Sequence, residues 1–346
     1  MSQSRDRGPG TEIPTESLRA APPDERLEAP DERPEAPELD ELREALDGLR
    51  REIRVRFPAP AEAVESVDWP ALFDSVRRRA STLGMIERSG EVDEFGMDEV
   101  VLRRARVFLD LLCDRYWRID LAGIENLPED GPALLVANRS GLLPYDGLML
   151  SHVIHRARPH SQRPRFTVAD WLITLPFVQP YLARLGGVRA CRENADRLLA
   201  GGRSVIVFPE GAKGAAKVFR ERYRLKRFGR GGVVRVGLDS RVPVIPVGIV
   251  GAEEAHPVLF KWATPARAVG LPFVPVTPTF PLFGPLGLLP MPAKWVIRIG
   301  EAMPLEHLGA DATFDELLIS RMTEDLRGSI QQLVHTGLRH RESIWG

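Results

Sequence analysis

The chain has 346 residues, 43% of them hydrophobic, which suffices for one large α/β domain or two small ones with a sizeable core. Its formal net charge of −1 argues against a protein that binds nucleic acid through its whole surface. The two cysteines, Cys113 and Cys191, match no metal-binding or redox spacing, which favours a reducing compartment.

The N-terminal third divides into two segments. Residues 1–36 are rich in Pro, Glu, Asp and Arg and nearly lack large apolar groups, so we predict a disordered tail without a signal peptide. We assign residues 37–116 to a helical module, with helical patterns over 38–57, 69–84 and 97–117. The helix predicted over 97–117 carries an apolar stripe with arginines beside it. It fits either a helix packed on the core or a basic helix on a membrane surface.

Residues 117–346 have a different sequence pattern, in which short apolar strand candidates alternate with helix candidates. The predicted strands are 117–124, 133–138, 165–169, 186–190, 204–208, 243–250 and 295–300. The predicted helices are 145–157, 176–186, 193–202, 230–241 and 313–341. This alternation predicts an α/β fold with a mainly parallel sheet and helices on both faces.

A long uncharged run extends from Ala268 to Ala293. It is longer than the roughly 20 residues that a membrane-spanning helix needs. However, it contains prolines throughout its length, and prolines at this density forbid a continuous helix. We therefore predict an apolar loop over 268–293, either packed on the body of the protein or dipping into a membrane interface.

A basic stretch covers 217-KVFRERYRLKRFGR-230, in which aromatic residues are interleaved with the cations. One interpretation is a solvated basic face with a few core anchors. The other is contact with anionic headgroups or with the phosphates of coenzyme A, since each basic residue near an anionic membrane contributes roughly 1 kcal/mol. The neutral total charge and the fold class argue against RNA.

Four short blocks lie at strand ends or strand-to-helix turns: 138-NRSGLLPYDG-147, 186-GGVRA-190, 207-VFPEGAKG-214 and 245-IPVGIVGAEE-254. In open α/β sheets, sites form where the carboxyl ends of strands converge, so a shared pocket is expected. The third block delivers the carboxylate of Glu210 to a turn at Gly211, with Lys213 beside it. The second projects Arg189, whose guanidinium suits a phosphate.

In this order and spacing, the blocks resemble the glycerolipid (lysophospholipid) acyltransferase family over about residues 117–305. The resemblance implies transfer of an acyl chain from acyl-CoA or acyl-carrier protein to a glycerol-type hydroxyl, without a further cofactor, by a peripheral protein at the cytoplasmic face of the membrane. Asp146 then orients a catalytic base, and Glu210 and Arg189 hold the acyl acceptor. The substrate-binding assignment also includes Gly211, Lys213, Ser140 and Gly141.

The family pattern has a histidine as general base where this chain has Arg139. An arginine has a pKa above about 12 and does not act as a base at neutral pH. Arg139 either forms an ion pair with Asp146 that fills the site, binds an anionic group, or stabilises an oxyanion while Glu210 or water supplies the base. The function is thus acyl transfer with impaired general-base catalysis, or binding of lipid or acyl-CoA by an inactive homologue or partner subunit.

Three other histidines, His152, His155 and His256, are candidates to replace the missing base. His152 and His155 lie on the predicted helix but do not share the face of Asp146, since that requires a spacing of three or four residues. We interpret both as ordinary helix histidines. His256, which follows the 251-GAEEA-255 turn at a strand end, is the better candidate.

Overall fold

The computed structural model describes residues 92–344, apart from 142, 174–177, 263–265, 267–272, 306–307 and 309. All of the described residues belong to one compact unit of the chain. The predicted tail, and the predicted helices over 38–57 and 69–84, lie outside them.

Most strands form one seven-stranded sheet. The strands within the described residues are β1 (Asp120–Ala122), β2 (Leu134–Ala137), β3 (Arg165–Val168), β4 (Gly187–Arg189), β5 (Val205–Val207), β6 (Val244–Val250), β7 (Phe260–Trp262), β8 (Val274–Val276) and β9 (Val296–Ile299). The order in the large sheet is β1-β9-β6-β2-β5-β3-β4, and every pairing in it is parallel except β6 with β9. The predicted mainly parallel sheet is confirmed.

The helices are α1 (Glu99–Leu111, continued by a π-helical turn Leu112–Tyr116), α2 (Tyr145–Ala157), α3 (Asp170–Ile173), α4 (Gln179–Arg184), α5 (Arg192–Ala200), α6 (Gly211–Ala215), α7 (Gly232–Ser240), α8 (Ala252–Ala255) and α9 (Glu316–His340). The long helices begin at identifiable signals. Asp98 caps α1 by accepting bonds from Val100 N and Val101 N, and Asp315 caps α9 in the same way.

The sheet carries an apolar core on each face, because successive strand residues point to opposite sides. On one face, Leu135 and Ala137 of β2 pack with α1, α2 and the stacked pair Trp117 and Trp295. On the other face, Leu134 and Val136 pack with α5, α7 and α9. The predicted helices on both faces are therefore confirmed, and α1 shares its core with the sheet.

The structure corrects part of the predicted loop over 268–293. β8 lies inside this range and pairs with β7 in a separate antiparallel ladder, and Gly284–Leu288 forms a 3₁₀ turn. Pro275 tolerates this position because a two-stranded ladder leaves an unpaired edge for a residue without an N–H. Sequence reasoning missed both strands, since each has only three residues, too few to show a strand period.

β2 sets the location of the candidate site. It lies between β5 and β6, with Val136 opposite both Val207 and Pro246. All three strands run in the same direction there, so the chain segments that follow them meet at one edge of the sheet.

Candidate active site

Asn138, the first residue after β2, fixes the start of the motif loop. Its side chain donates to Ile249 O at 2.9 Å and accepts from Ile249 N at 2.7 Å. The buried amide therefore replaces a missing strand residue and satisfies both backbone groups of Ile249. This holds the next residue, Arg139, at the centre of the sheet edge.

Arg139 is buried, with 4% of its surface exposed, and its Nη1 lies 3.2 Å from Asp146 Oδ1. Its guanidinium also lies 5.0 Å from the centre of the Phe208 ring. Asp146, in the first turn of α2, accepts bonds from Ser140 N and Ser140 Oγ, each at 3.1 Å, and from Gly147 N at 2.8 Å. Both oxygens of Asp146 are thus engaged by protein donors.

Glu210 connects three segments of the chain. One of its oxygens accepts from the Arg139 backbone N–H at 2.8 Å, and the other accepts from Lys226 N at 2.7 Å. Lys217 Nζ lies 3.3 Å from the same carboxylate. Because these partners come from the protein, the buried Glu210 has a structural task in addition to its predicted contact with an acyl acceptor.

Lys217 completes a buried cluster with Glu210 and Glu253. Its Nζ lies 2.6 Å from Glu253 Oε1, and Glu253 also accepts from Tyr223 N at 2.5 Å. Burial disfavours the charged lysine, but Glu253 and Glu210 outweigh burial and raise the pKa of Lys217. Burial raises the pKa of Glu253, although Lys217 opposes this shift.

Sequence reasoning missed the roles of Lys217 and Glu253. The sequence places Lys217 in the basic stretch and indicates Lys213 as the cation beside Glu210. In the structure Lys213 is exposed on α6, four residues before the lysine that reaches Glu210. The paired carboxylates at the end of the 245–254 block were the available signal for a buried cation.

α6 lies directly against the Arg139–Glu210 pair. A Cβ atom added at Gly214 would come within 2.5 Å of Glu210 Cβ and 2.8 Å of Arg139 Cβ. The adjacent cleft, lined by Ser140, Gly141 and others, has a volume of only about 10 Å³. This is about the space for one water molecule.

Arg189 lies apart from this network. Its side chain is 61% exposed, and it forms a two-point ion pair with Asp170, with Nε to Oδ1 at 2.9 Å and Nη2 to Oδ2 at 3.2 Å. The structure brings together Arg139, Ser140, Asp146 and Glu210, with Gly141 and Gly211 adjacent, but leaves Arg189 and Lys213 on the surface. Their predicted contact with an acceptor stays a prediction.

His256 lines the same small cleft as Ser140 and Gly141. Its Nε2 lies 2.7 Å from Leu288 O, and its ring stacks on Tyr145 with centroids 5.6 Å apart. A carbonyl only accepts hydrogen bonds, so Nε2 carries the proton and Nδ1 keeps the lone pair in the neutral ring. Burial lowers the pKa of His256, although the Leu288 carbonyl opposes this shift.

An apolar cavity of about 350 Å³ adjoins two of the motif blocks. Phe208 and Pro209, which precede Glu210, form part of its wall, and Ala190 and Cys191, which follow Arg189, form another part. Arg192 and Arg230 also line it. The cavity thus combines apolar walls with two cations.

The basic stretch alternates between buried and exposed residues. Tyr223, Leu225 and Phe228 are buried in the core, whereas most of its arginines face outward. This arrangement matches a solvated basic face with core anchors. Lys217 departs from it because its amine is buried between two carboxylates.

Within residues 92–344 and their gaps as given above, the structure holds no group of three His, Cys, Asp or Glu side chains suited to a metal ion. No helix of the described part of the chain is both long and apolar enough to cross a membrane.

The chain belongs to the acyltransferase family. The profile of the family described as Acyltransferase matches residues 118–250, which include the first three motif blocks and the part of the fourth that lies in β6. An uncharacterized protein of Mycobacterium leprae is 43% identical over 255 residues, covering 73% of this chain and 70% of that protein.

Two more distant proteins are similar as well. A human protein described as a DGAT1/2-independent enzyme synthesizing storage lipids is 27% identical over 169 residues, covering 47% of this chain and 50% of that protein. The crystal structure of PlsC, the 1-acyl-sn-glycerophosphate (LPA) acyltransferase of Thermotoga maritima, is 18% identical with a TM-score of 0.45, covering 71% of this chain and 84% of that chain.

Proposed function

We propose that this protein transfers a fatty acyl chain from acyl-CoA or acyl-carrier protein to a hydroxyl of a glycerol-based acceptor or lysophospholipid, with general-base catalysis impaired at position 139. The observation that carries the proposal is the buried Arg139–Asp146 pair within the acyltransferase motif. It preserves the motif loop and its aspartate while removing the proton acceptor.

The reaction requires a proton acceptor near the attacking hydroxyl. The alcohol oxygen bonds to the thioester carbon, its proton passes to the base, and the carbon–sulfur bond breaks to release a thiol after protonation. Glu210 is poorly suited, because backbone N–H groups and Lys217 already engage its oxygens. His256 is the better acceptor, because its neutral ring keeps a lone pair on Nδ1 and lines the cleft beside Ser140.

The apolar cavity supports a lipid substrate. Its volume of about 350 Å³ falls in the range of small-molecule sites, and its apolar wall begins two residues before Glu210. An acyl chain fits apolar walls, and a phosphate fits the guanidinium of Arg230 at the cavity wall, whereas Arg192 already pairs with Asp196 and Asp239. Similarity to a human enzyme described as synthesizing storage lipids is consistent with this substrate class.

A second candidate is a non-catalytic role, in which the protein binds lipid or acyl-CoA or serves as a partner subunit. Two observations favour this role. Protein donors already occupy the carboxylate oxygens of Asp146 and Glu210, and the adjacent cleft has a small volume. Such a protein retains the apolar cavity but does not turn over substrate.

One experiment separates the two candidates. The purified full chain is incubated with labelled acyl-CoA and a panel of lysophospholipids, glycerol 3-phosphate and monoacylglycerol. Acyl transfer predicts slow product formation that falls by about 10²-fold or more in His256→Gln. His335→Gln, which changes an exposed histidine on α9, serves as the matched control. No product from any acceptor, together with saturable binding of acyl-CoA, instead identifies the non-catalytic role.

We also propose peripheral binding at the cytoplasmic face of an anionic membrane. Leu282, Phe283, Leu286 and Leu289 of the 268–293 loop are exposed, as are Phe260 and Trp262 on β7. Exposed apolar groups of this kind mark membrane or protein contacts.

Flotation with anionic vesicles tests the proposal, and protein that stays in the aqueous fraction at low salt refutes it. Leu282→Asp and Phe283→Asp should reduce flotation, whereas Phe314→Asp, at an exposed phenylalanine elsewhere, should not.

A further inference from the structure

A second cavity, of about 210 Å³, lies between α1, α2 and the chain that follows α2. Four arginines line it: Arg103, Arg106, Arg156 and Arg163. His152 and His155 of α2 line it as well, and Glu99 is the acidic residue of the lining. None of these residues belongs to the motif blocks, and the proposed acyl transfer uses none of them.

Arg163 is the most deeply buried cation of this cavity, with 9% of its surface exposed. Its Nη1 atom is buried without a hydrogen-bond partner among the described residues. Burial lowers the pKa of Arg163, which expresses the cost of holding the charge away from water, although Glu99 opposes the shift. Buried donors normally have partners, so an unpartnered guanidinium nitrogen points to an absent acceptor.

The two histidines also have ring nitrogens without partners. The Nδ1 atoms of His152 and His155 are buried and have no partner in the described part of the chain. His152 Nε2 lies 2.9 Å from Asp110 Oδ1, and a carboxylate only accepts, so Nε2 carries the proton. Nδ1 of the neutral ring then lacks a hydrogen to donate. Protonation would convert it into a donor beside Arg163.

We propose that this cavity binds a phosphate-type oxyanion, with Arg163 as the principal donor and His152 and His155 as donors that become protonated when the anion binds. Guanidinium and imidazolium groups both form charge-assisted hydrogen bonds with such an anion. The anion supplies an acceptor to Arg163 Nη1, and to the two histidine Nδ1 atoms once these carry protons. The free form has only a small excess of positive charge, because Glu99, Asp110 and Asp114 lie near the arginines.

Anion affinity should therefore rise as the pH falls. Burial lowers the pKa of His152, although Asp110 opposes the shift, and burial also lowers the pKa of His155. Both rings are neutral at neutral pH, and anion binding must take up protons. The charged groups that face the rings are, from α1, Glu99, Arg106 and Asp110, and from α2 and the following chain, Arg156 and Arg163.

The anion can be free in solution or part of a lipid headgroup. Val107 and Phe108 on α1 are 79% and 60% exposed and lie next to Arg106 in the chain. A phosphate at the surface of a bilayer could therefore reach the cavity while these apolar side chains contact the lipid.

The test uses the full chain and sulfate, which stays a dianion between about pH 6 and pH 8, at constant ionic strength. Calorimetry should show saturable binding that is tighter at the lower pH, with proton uptake. Arg163→Gln should weaken binding about tenfold or more, since a charge-assisted contact is lost. Arg156→Gln, at a partly exposed position, provides a second variant if Arg163→Gln does not fold. The matched control is Arg298→Gln, at an arginine outside this cavity that pairs with Asp120.

Vesicles of phosphatidylcholine with and without phosphatidic acid distinguish the two sources. Retention on phosphatidic acid that Arg163→Gln abolishes identifies a lipid phosphate. Sulfate binding with vesicle retention unaffected by Arg163→Gln identifies a free anion. The proposal is overturned if no sulfate binds and vesicle retention is the same for the unmodified chain, Arg163→Gln and Arg156→Gln. It is also overturned if Arg298→Gln weakens binding as much as Arg163→Gln does.

Discussion

Replacing Lys217 with methionine should destabilise the folded protein by about 3–5 kcal/mol, the usual cost of removing one partner from a buried ion pair. The Lys217 amine lies 2.6 Å from Glu253 and 3.3 Å from Glu210, and all three side chains are almost fully buried. Lys217→Met therefore leaves two buried carboxylates without their shared cation. Methionine keeps the length of the aliphatic chain, so lost packing contributes little.

The assay is urea unfolding followed by tryptophan fluorescence, which reports on the stacked Trp117–Trp295 pair in the core. Lys226→Met is the matched control, because Lys226 pairs with Glu221 at 3.0 Å near the surface. Surface pairs contribute about 0–1 kcal/mol, so this control should change the free energy of unfolding little. Adding Glu253→Gln to Lys217→Met should recover part of the loss. Equal stabilities of the two lysine variants would refute the buried cluster.

The loss of unfolding free energy in Lys217→Met should also depend on pH. Burial raises the pKa of Glu253, against the opposing charge of Lys217, so the folded protein holds this proton more tightly than the unfolded chain. Stability therefore falls as the pH rises from the ordinary glutamate pKa through the raised value. Removing Lys217 removes the charge that lowers the pKa of Glu253. The folded-state pKa of Glu253 therefore rises further, and the pH range over which stability is lost extends to higher pH. The Lys217→Met deficit should be smaller at about pH 5 than at about pH 8.

Three other substitutions test local features of the site and the fold by the same unfolding measurement. Gly214→Ala should cost about 1–3 kcal/mol, since the new methyl group would overlap Glu210 and Arg139, whereas Gly229→Ala, with open space around its Cβ, should cost less than 1 kcal/mol. Asn138→Ala should cost about 2–4 kcal/mol, because it leaves both backbone groups of Ile249 unpaired. A loss no greater than that of Asn194→Ala, at a half-buried asparagine whose side chain donates to Arg189 O, would contradict this expectation. Asp98→Ala should cost about 1 kcal/mol through the lost N-cap of α1, and no change would show that α1 does not depend on its cap.

The sequence was sufficient to predict the large sheet because its strands are buried and apolar over their whole length. β6, with seven consecutive buried residues, is the clearest case, and α2 begins and ends at its predicted bounds. The short helices α3, α6 and α8 have only four or five residues, too few to show a helical period. β7 and β8 were missed because their pairing depends on tertiary contacts rather than on alternation.

The candidate site was predictable where its residues are close in the chain. The Arg139–Asp146 pair joins two ends of one loop and was among the expected arrangements. Lys217 and Glu253 come together only because α6 and the end of β6 converge on Glu210, and their separation in sequence conceals this. The partner of Arg189 is Asp170, at the start of α3, and nothing in the local pattern around Arg189 indicates that pairing.

The rate of acyl transfer by Arg139→His, relative to the unmodified chain, tests most directly whether arginine at position 139 has removed the catalytic base. If arginine has removed the base, Arg139→His should increase the rate by about 10²–10⁴-fold, the usual contribution of a positioned general base, whereas Arg139→Gln, which breaks the ion pair without supplying a base, should not. A rate for Arg139→His equal to or below that of the unmodified chain, with both proteins folded, would contradict this claim.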